Sequence, residues 1–112
     1  MNKTLKEIHD LLVAQVDSLS KAIDQTNDHN VAKQLLMEMD EVVHRVNVIQ
    51  NLLFRQDSAE LDSELKNIKA ANDDLNKAIK SIKNAADVVA KTTEVLKYVD
   101  KAIDLAKTLA VI

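Results

Sequence analysis

Apolar side chains recur along this chain at intervals of three and four residues, the period of an α-helix that buries one face. The first stripe, Leu5, Ile8, Leu12, Val16, Leu19 and Ile23, comes after Thr4, which reads as an N-cap with Glu7 completing a capping box. It predicts a helix over about 4–26. The cluster Thr26-Asn27-Asp28-His29-Asn30 then predicts a turn, because short polar side chains bond their own backbone in competition with helix. A second stripe, Ala32, Leu35, Leu36, Met39, Val42, Val43, Val46, Ile49 and Leu53, is widened by Val31, Val48, Leu52 and Phe54 and predicts a helix over about 31–55. The two arms match in length and are expected to form an antiparallel hairpin. Arg55-Gln56-Asp57-Ser58 closes the second arm, with Asp57 or Ser58 available to cap the next helix.

Beyond Ser58, Leu61, Ile68, Leu75, Ile82, Val89, Leu96, Ile103 and Ala110 recur every seven residues without a slip. Three residues after each comes Glu64, Ala71, Ala78, Ala85, Thr92, Val99 or Ala106, a column of mostly small side chains that admits close approach by another helix. Because a turn ordinarily resets heptad phase, this pattern favours one coiled-coil-like helix over about 58–109. The alternative is a four-helix bundle broken near 84–87. The stripe also changes sides, flanked by Leu65 and Ile79 at first and by Val88, Val95, Ala102 and Leu109 later, so the two halves are expected to meet different neighbours.

A continuous helix would outrun the hairpin and leave its C-terminal half bare. The expected interaction surface is therefore Val88, Val89, Thr92, Val95, Leu96, Val99, Ala102, Ile103, Ala106, Leu109 and Ala110, covered by a second copy or by another helical protein. The apolar end Leu109-Ala110-Val111-Ile112 is expected to be buried in that interface. Asn72, a polar residue in the seam of this segment, is expected to set register and specificity.

Composition narrows the reading further. The 112 residues are 46% hydrophobic and lack Gly and Pro, which turns and sheet edges rely on, so one all-α domain spanning 1–112 is expected. Without Cys there is no disulfide, thiolate site or thiol nucleophile. A net charge of −3 with no dominant basic face disfavours nucleic acid. The N-terminus shows no export signal, and the longest uncharged run, Val46 to Phe54, is far short of a membrane span, so a cytoplasmic location is expected.

Candidate chemistry is sparse. Glu41-Val42-Val43-His44 has the Glu-x-x-His spacing of di-metal helical bundles, but no other His comes after a Glu at that spacing, so a solvated helix face is the better reading. His9 lies beside the first stripe and would need partners for its ring nitrogens if it faced inward; His29 belongs to the turn. Nothing singles out a nucleophile among Ser18, Ser20, Ser58, Ser63 and Ser81, and no glycine-rich loop is present to hold a cofactor, so no enzyme and no cofactor are expected. Met39 reads as core, and Met37 alone makes no adaptable surface. The expected function is a non-enzymatic helical interaction or assembly protein, self-associating through the C-terminal half of its last helix. The alternatives are an immunity or chaperone-like subunit that neutralises a partner and a membrane-active amphipathic protein. Mixed charge along Lys91, Lys97, Lys101 and Lys107 with Asp87, Glu94, Asp100 and Asp104 argues against the last.

Overall fold

A computed structural model describes residues 1–82 and 85–112. The chain folds into four helices of near-equal length: α1 (Lys3–Gln25), α2 (His29–Gln50), α3 (Ala59–Lys80) and α4 (Ala85–Thr108). The turn after α1 forms where the polar cluster predicts it. Asp28 caps α2 by accepting from the N–H groups of Asn30 and Val31, and Ser58 caps α3 by accepting from Leu61. The cap of α1 is Asn2 rather than Thr4; Asn2 Oδ1 accepts from Leu5 N at 3.0 Å, and Thr4 is buried in the first turn with its hydroxyl turned to Asp57 in the loop before α3 and Asp62 on α3.

The single long helix expected over 58–109 is not formed, and the four-helix alternative holds. The helix ends at Lys80, Ser81 and Ile82 lie outside helix, and Ala85 is already helical; Asn84, one of the residues expected at the break, lies outside the described residues. The physical reason is burial: folding back covers Val88, Val95, Val99 and Ile103 within one chain, where a straight helix would leave them in water. The change of flanking residues along the stripe marks this break. In α3 the column Leu61, Ile68, Leu75 lies at the centre of the buried face, whereas in α4 the centre moves to Ala85, Thr92, Val99 and Ala106, and Val89 is only half-buried. Buried Ala71, Ala78, Ala102 and Ala106 are the small residues that let backbones approach, and they serve packing inside the chain.

Packing joins α1 to α2 and α3 to α4 most extensively, with α1 against α3 and α2 against α4 across the two hairpins. Those cross pairs run parallel. Thr4, at the start of α1, meets Asp62, at the start of α3, and Arg45, sixteen into α2, meets Asp100, fifteen into α4. The result is a bundle 47 Å long with a radius of gyration of 14.4 Å. One aliphatic core runs its length, from Leu5, Ile8 and Leu12 to Leu35, Ile68 and Val99.

One end is closed by the termini. Asn2 donates through its N–H to Leu53 O (2.7 Å) and through Nδ2 to Gln56 O (3.2 Å). The last residues strap the same loop, with Gln56 N donating to Ala110 O and Ile112 N to Phe54 O, both at 2.7 Å. Arg55 donates to Leu109 O at 2.9 Å, capping α4. Within the single chain the side chains of Val111 and Ile112 are exposed and their backbone is engaged with the loop after α2.

Candidate interaction surface

The residues expected to meet a second copy lie inside the bundle. Val88, Thr92, Val95, Leu96, Val99, Ala102, Ile103 and Ala106 are buried by the other helices of the same chain, Val89 and Leu109 are half-buried, and only Ala110 is exposed. Thr92 satisfies its hydroxyl on Val88 O at 2.8 Å. As it stands, this set is core.

Exposed apolar side chains gather on the first hairpin. Val13 is 46% exposed, Leu36 46%, Val43 37% and Met37 61%, although periodicity places Leu36 and Val43 on the buried stripe of α2. The stripe over 31–55 is wider than the core can cover, so its edge reaches water. Geometry shows where this edge lies. His9 on α1 and Gln50 on α2 meet across the outer side of the hairpin, Gln50 Nε2 lying 3.3 Å from His9 Nε2. Val13 is one helical turn beyond His9, and Val43 and Leu36 are two and four turns before Gln50, so all three track the same α1·α2 seam. From the His9–Gln50 contact the apolar line extends about 20 Å up the bundle. Val16 and Met39 pack beside it as partly buried members of the core.

The polar groups near the seam are engaged in structure. His9 Nδ1 lies 3.1 Å from Asp10 Oδ1, and its Nε2 is in reach of the Gln50 amide, so both ring nitrogens have polar neighbours. Hydrogen bonds from Lys6 and then His9 hold the Asp10 carboxyl below its usual range. Lys21 pairs with Asp17 at 3.0 Å.

Glu41 is bound to Arg45, whose guanidinium also grips both oxygens of Asp100 at 3.1 and 3.2 Å, tying α2 to α4. The hydrogen bond to Asp100 raises the Arg45 pKa further. Among the described residues no group of His, Asp and Glu side chains is arranged to hold a metal. A cavity of about 580 Å3 opens beside the α1–α2 turn, lined by Lys21, Ala22, Val31, Ile79, Lys80 and Ile82; among the described residues that line it there is no acid–base pair and no nucleophile held by a base.

Asn72 is buried and joined to a second buried amide. Gln15 Nε2 donates to Asn72 Oδ1 and to Asn76 Oδ1 (3.2 Å), while Gln15 Oε1 is buried without a partner among the described residues. Periodicity marks Asn72 as a polar break in an apolar seam. Gln15 escapes that signal because Val16 beside it fits the stripe equally well, and only the α1·α3 contact draws it inward. No family model, curated protein or solved structure matches this chain.

Proposed function

We propose that this protein is a non-enzymatic interaction module that binds an amphipathic helix of another protein along the α1·α2 seam. The observation that carries the reading is the alignment of Val13, Val43 and Leu36, three exposed aliphatic side chains on one outer edge, in a bundle whose second hairpin exposes no comparable residue among those described. A partner helix would lay anchors one and two turns apart against them, the helix-in-groove mode in which apolar burial gives affinity. Self-association through α4, the surface favoured by periodicity alone, would require the bundle to open. No helix among the described residues is long and apolar enough to cross a membrane.

The test is site-specific photo-crosslinking in the native cell with a reactive side chain at Leu36, and a control at exposed Lys77 on α3. A defined adduct formed from position 36, absent from position 77 and lost when Val43→Lys is added, is the expected result. An adduct with a protein encoded beside this chain would make it a neutralising or chaperone-like subunit. Equal labelling at the two positions, or adducts indifferent to Val43→Lys, would remove the seam as the binding surface. Dye release from anionic vesicles would point instead to the membrane-active reading.

A further inference from the structure

The loop after α2 and the segment after α4 form a small antiparallel pairing at one end of the bundle. Gln56 N donates to Ala110 O and Ile112 N to Phe54 O, so Arg55 stands opposite Val111 without exchanging a bond with it. In an antiparallel ladder, a pair of this kind directs its own N–H and C=O groups to the outer sides of the two strands. Arg55 N turns back to Leu52 O, whereas the N–H and C=O of Val111 have no partner among the described residues. They form an open strand edge on the side away from the loop. Phe54 and Ile112 face each other across the pairing and are 61% and 70% exposed, and Ala110 beside them is exposed as well. Within one chain, neither the edge nor this apolar pair is covered.

We propose that a second copy of this chain pairs with this edge, giving a dimer about a two-fold axis beside Val111. Antiparallel pairing of 110–112 with itself sets Val111 opposite its own counterpart, and the two residues exchange both N–H···O bonds, satisfying both donors and both acceptors at once. Side chains fit the same register. Ile112 of one copy faces Ala110 of the other, a small residue that leaves room for it, and the apolar row from Phe54 and Ile112 is continued by that alanine. Charge suits a copy as well. Residues 109–112 carry no charged side chain to repel their image, and beside the edge the exposed Asp104 and Lys107 of α4 border one groove with opposite signs, so a two-fold arrangement sets unlike rims against each other. The surface covered is on the order of 1,000 Å2 for the two copies together, the lower end for a specific interface, so the dimer is weak and depends on concentration. No helix has to move. The bonds that hold 110–112 to the loop are kept, and the seam on α1·α2 stays free for another partner.

The experiment is sedimentation equilibrium of the full chain from roughly 1 µM to roughly 1 mM. The expected result is a reversible equilibrium between the 12.5 kDa chain and a species of twice that mass. Val111→Pro removes the outward N–H, which the monomer leaves unbonded, and Pro is tolerated at a strand edge. It should leave the helical circular dichroism unchanged and weaken dimerisation at least about tenfold, because two hydrogen bonds across the axis are lost. Ile112→Lys should weaken the dimer too, whereas Val43→Lys on the seam should not. Register is read separately: in a chain without cysteine, Val111→Cys should yield a disulfide-linked dimer under mild oxidation, and Leu36→Cys should not. Monomer alone across the whole range would overturn the proposal and leave the edge to a strand of another protein. So would a dimer that is indifferent to Val111→Pro, or one that is lost in Val43→Lys, since the latter would form through the seam.

Discussion

The two hairpins are nearly the same length and contribute to one core, yet they meet solvent differently. On α3 and α4 no large aliphatic side chain among the described residues is exposed, and buried alanines bring the two helices together. On α1 and α2, Val13, Leu36, Met37 and Val43 stand in water. Charge divides along the same line: residues 1–57 carry nine acids against six bases, whereas residues 58–112 carry nine of each. Scattered exposed aliphatics need no explanation, but three along one seam do. Since the second hairpin closes its core without such residues, the fold does not require them. The first hairpin is therefore where the proposed partner surface is placed.

The sharpest way to break this comparison is to place a charge on each hairpin. Val99→Asp puts a carboxylate at a fully buried position of α4 with nothing to pair it, and an expected loss of at least about 4 kcal/mol would approach the total stability of a domain this size. Val43→Asp on α2 should stay within about 0.5 kcal/mol of wild type, because its side chain already meets solvent. Urea unfolding monitored by circular dichroism measures both. Similar losses in the two variants would mean that the seam is part of the core, and the distinction between the hairpins would collapse.

A smaller effect tests the joint between the hairpins. Gln15 and Asn72 form a buried polar contact across the parallel α1·α3 pair, and the orphaned Gln15 Oε1 makes this contact costly. Gln15→Leu strands the Asn72 amide and should cost about 1–3 kcal/mol. The double variant Gln15→Leu with Asn72→Leu should recover most of that loss, since it removes both buried partners and leaves only the half-buried Asn76 amide, which water can reach. If the contact fixes register, as the place of Asn72 in the seam predicts, the double variant will keep its stability while its amide NMR spectrum broadens or doubles. A single sharp spectrum would show that packing alone sets the register.

These positions also show how far the sequence carries. Helical content, the turn at Thr26–Asn30 and the Ser58 cap are local in origin, so periodicity and short-range side-chain chemistry report them. Whether α3 continues into α4 is not local. The seven-residue column is in phase on both sides of Ser81, and a helix that reverses direction can keep that phase as easily as one that runs on. The discriminating quantity is how much of Val88, Val95 and Val99 the rest of the chain can cover, and the switch from Leu65 and Ile79 to Val88 and Val95 is its only trace in the sequence. The seam is hidden for a related reason. Leu36 and Val43 fit the stripe of α2 as well as Leu35 and Val42 do, and periodicity cannot tell the centre of a wide stripe from its edge.

The smallest expected effect is in acid, and it takes opposite signs in the two halves. On α2, burial and then the neighbouring Glu41 raise the Glu38 carboxyl above its usual value, with Arg45 opposing, so the fold favours the protonated form. A raised carboxyl pKa weakens the folded state at neutral pH and stops weakening it as pH falls through that value. Glu38→Gln should therefore stabilise the protein slightly at pH 7, an advantage that fades on acidification. At the start of α3, Asp62 behaves in the reverse way. The Thr4 hydroxyl lies 2.6 Å from Asp62 and 3.0 Å from Asp57, and the hydrogen bond from Thr4 holds the Asp62 carboxyl below its ordinary value. Its contribution is complete above that value and is lost as pH falls through the lowered one. Asp62→Asn should then be less stable than wild type at neutral pH and converge on it in strong acid. Urea midpoints taken from about pH 7 down to about pH 3 separate the two cases. If Asp62→Asn ran parallel to wild type across that range, the carboxylate would contribute nothing through its charge. Thr4 would then join α1 to the second hairpin through hydrogen-bond geometry alone.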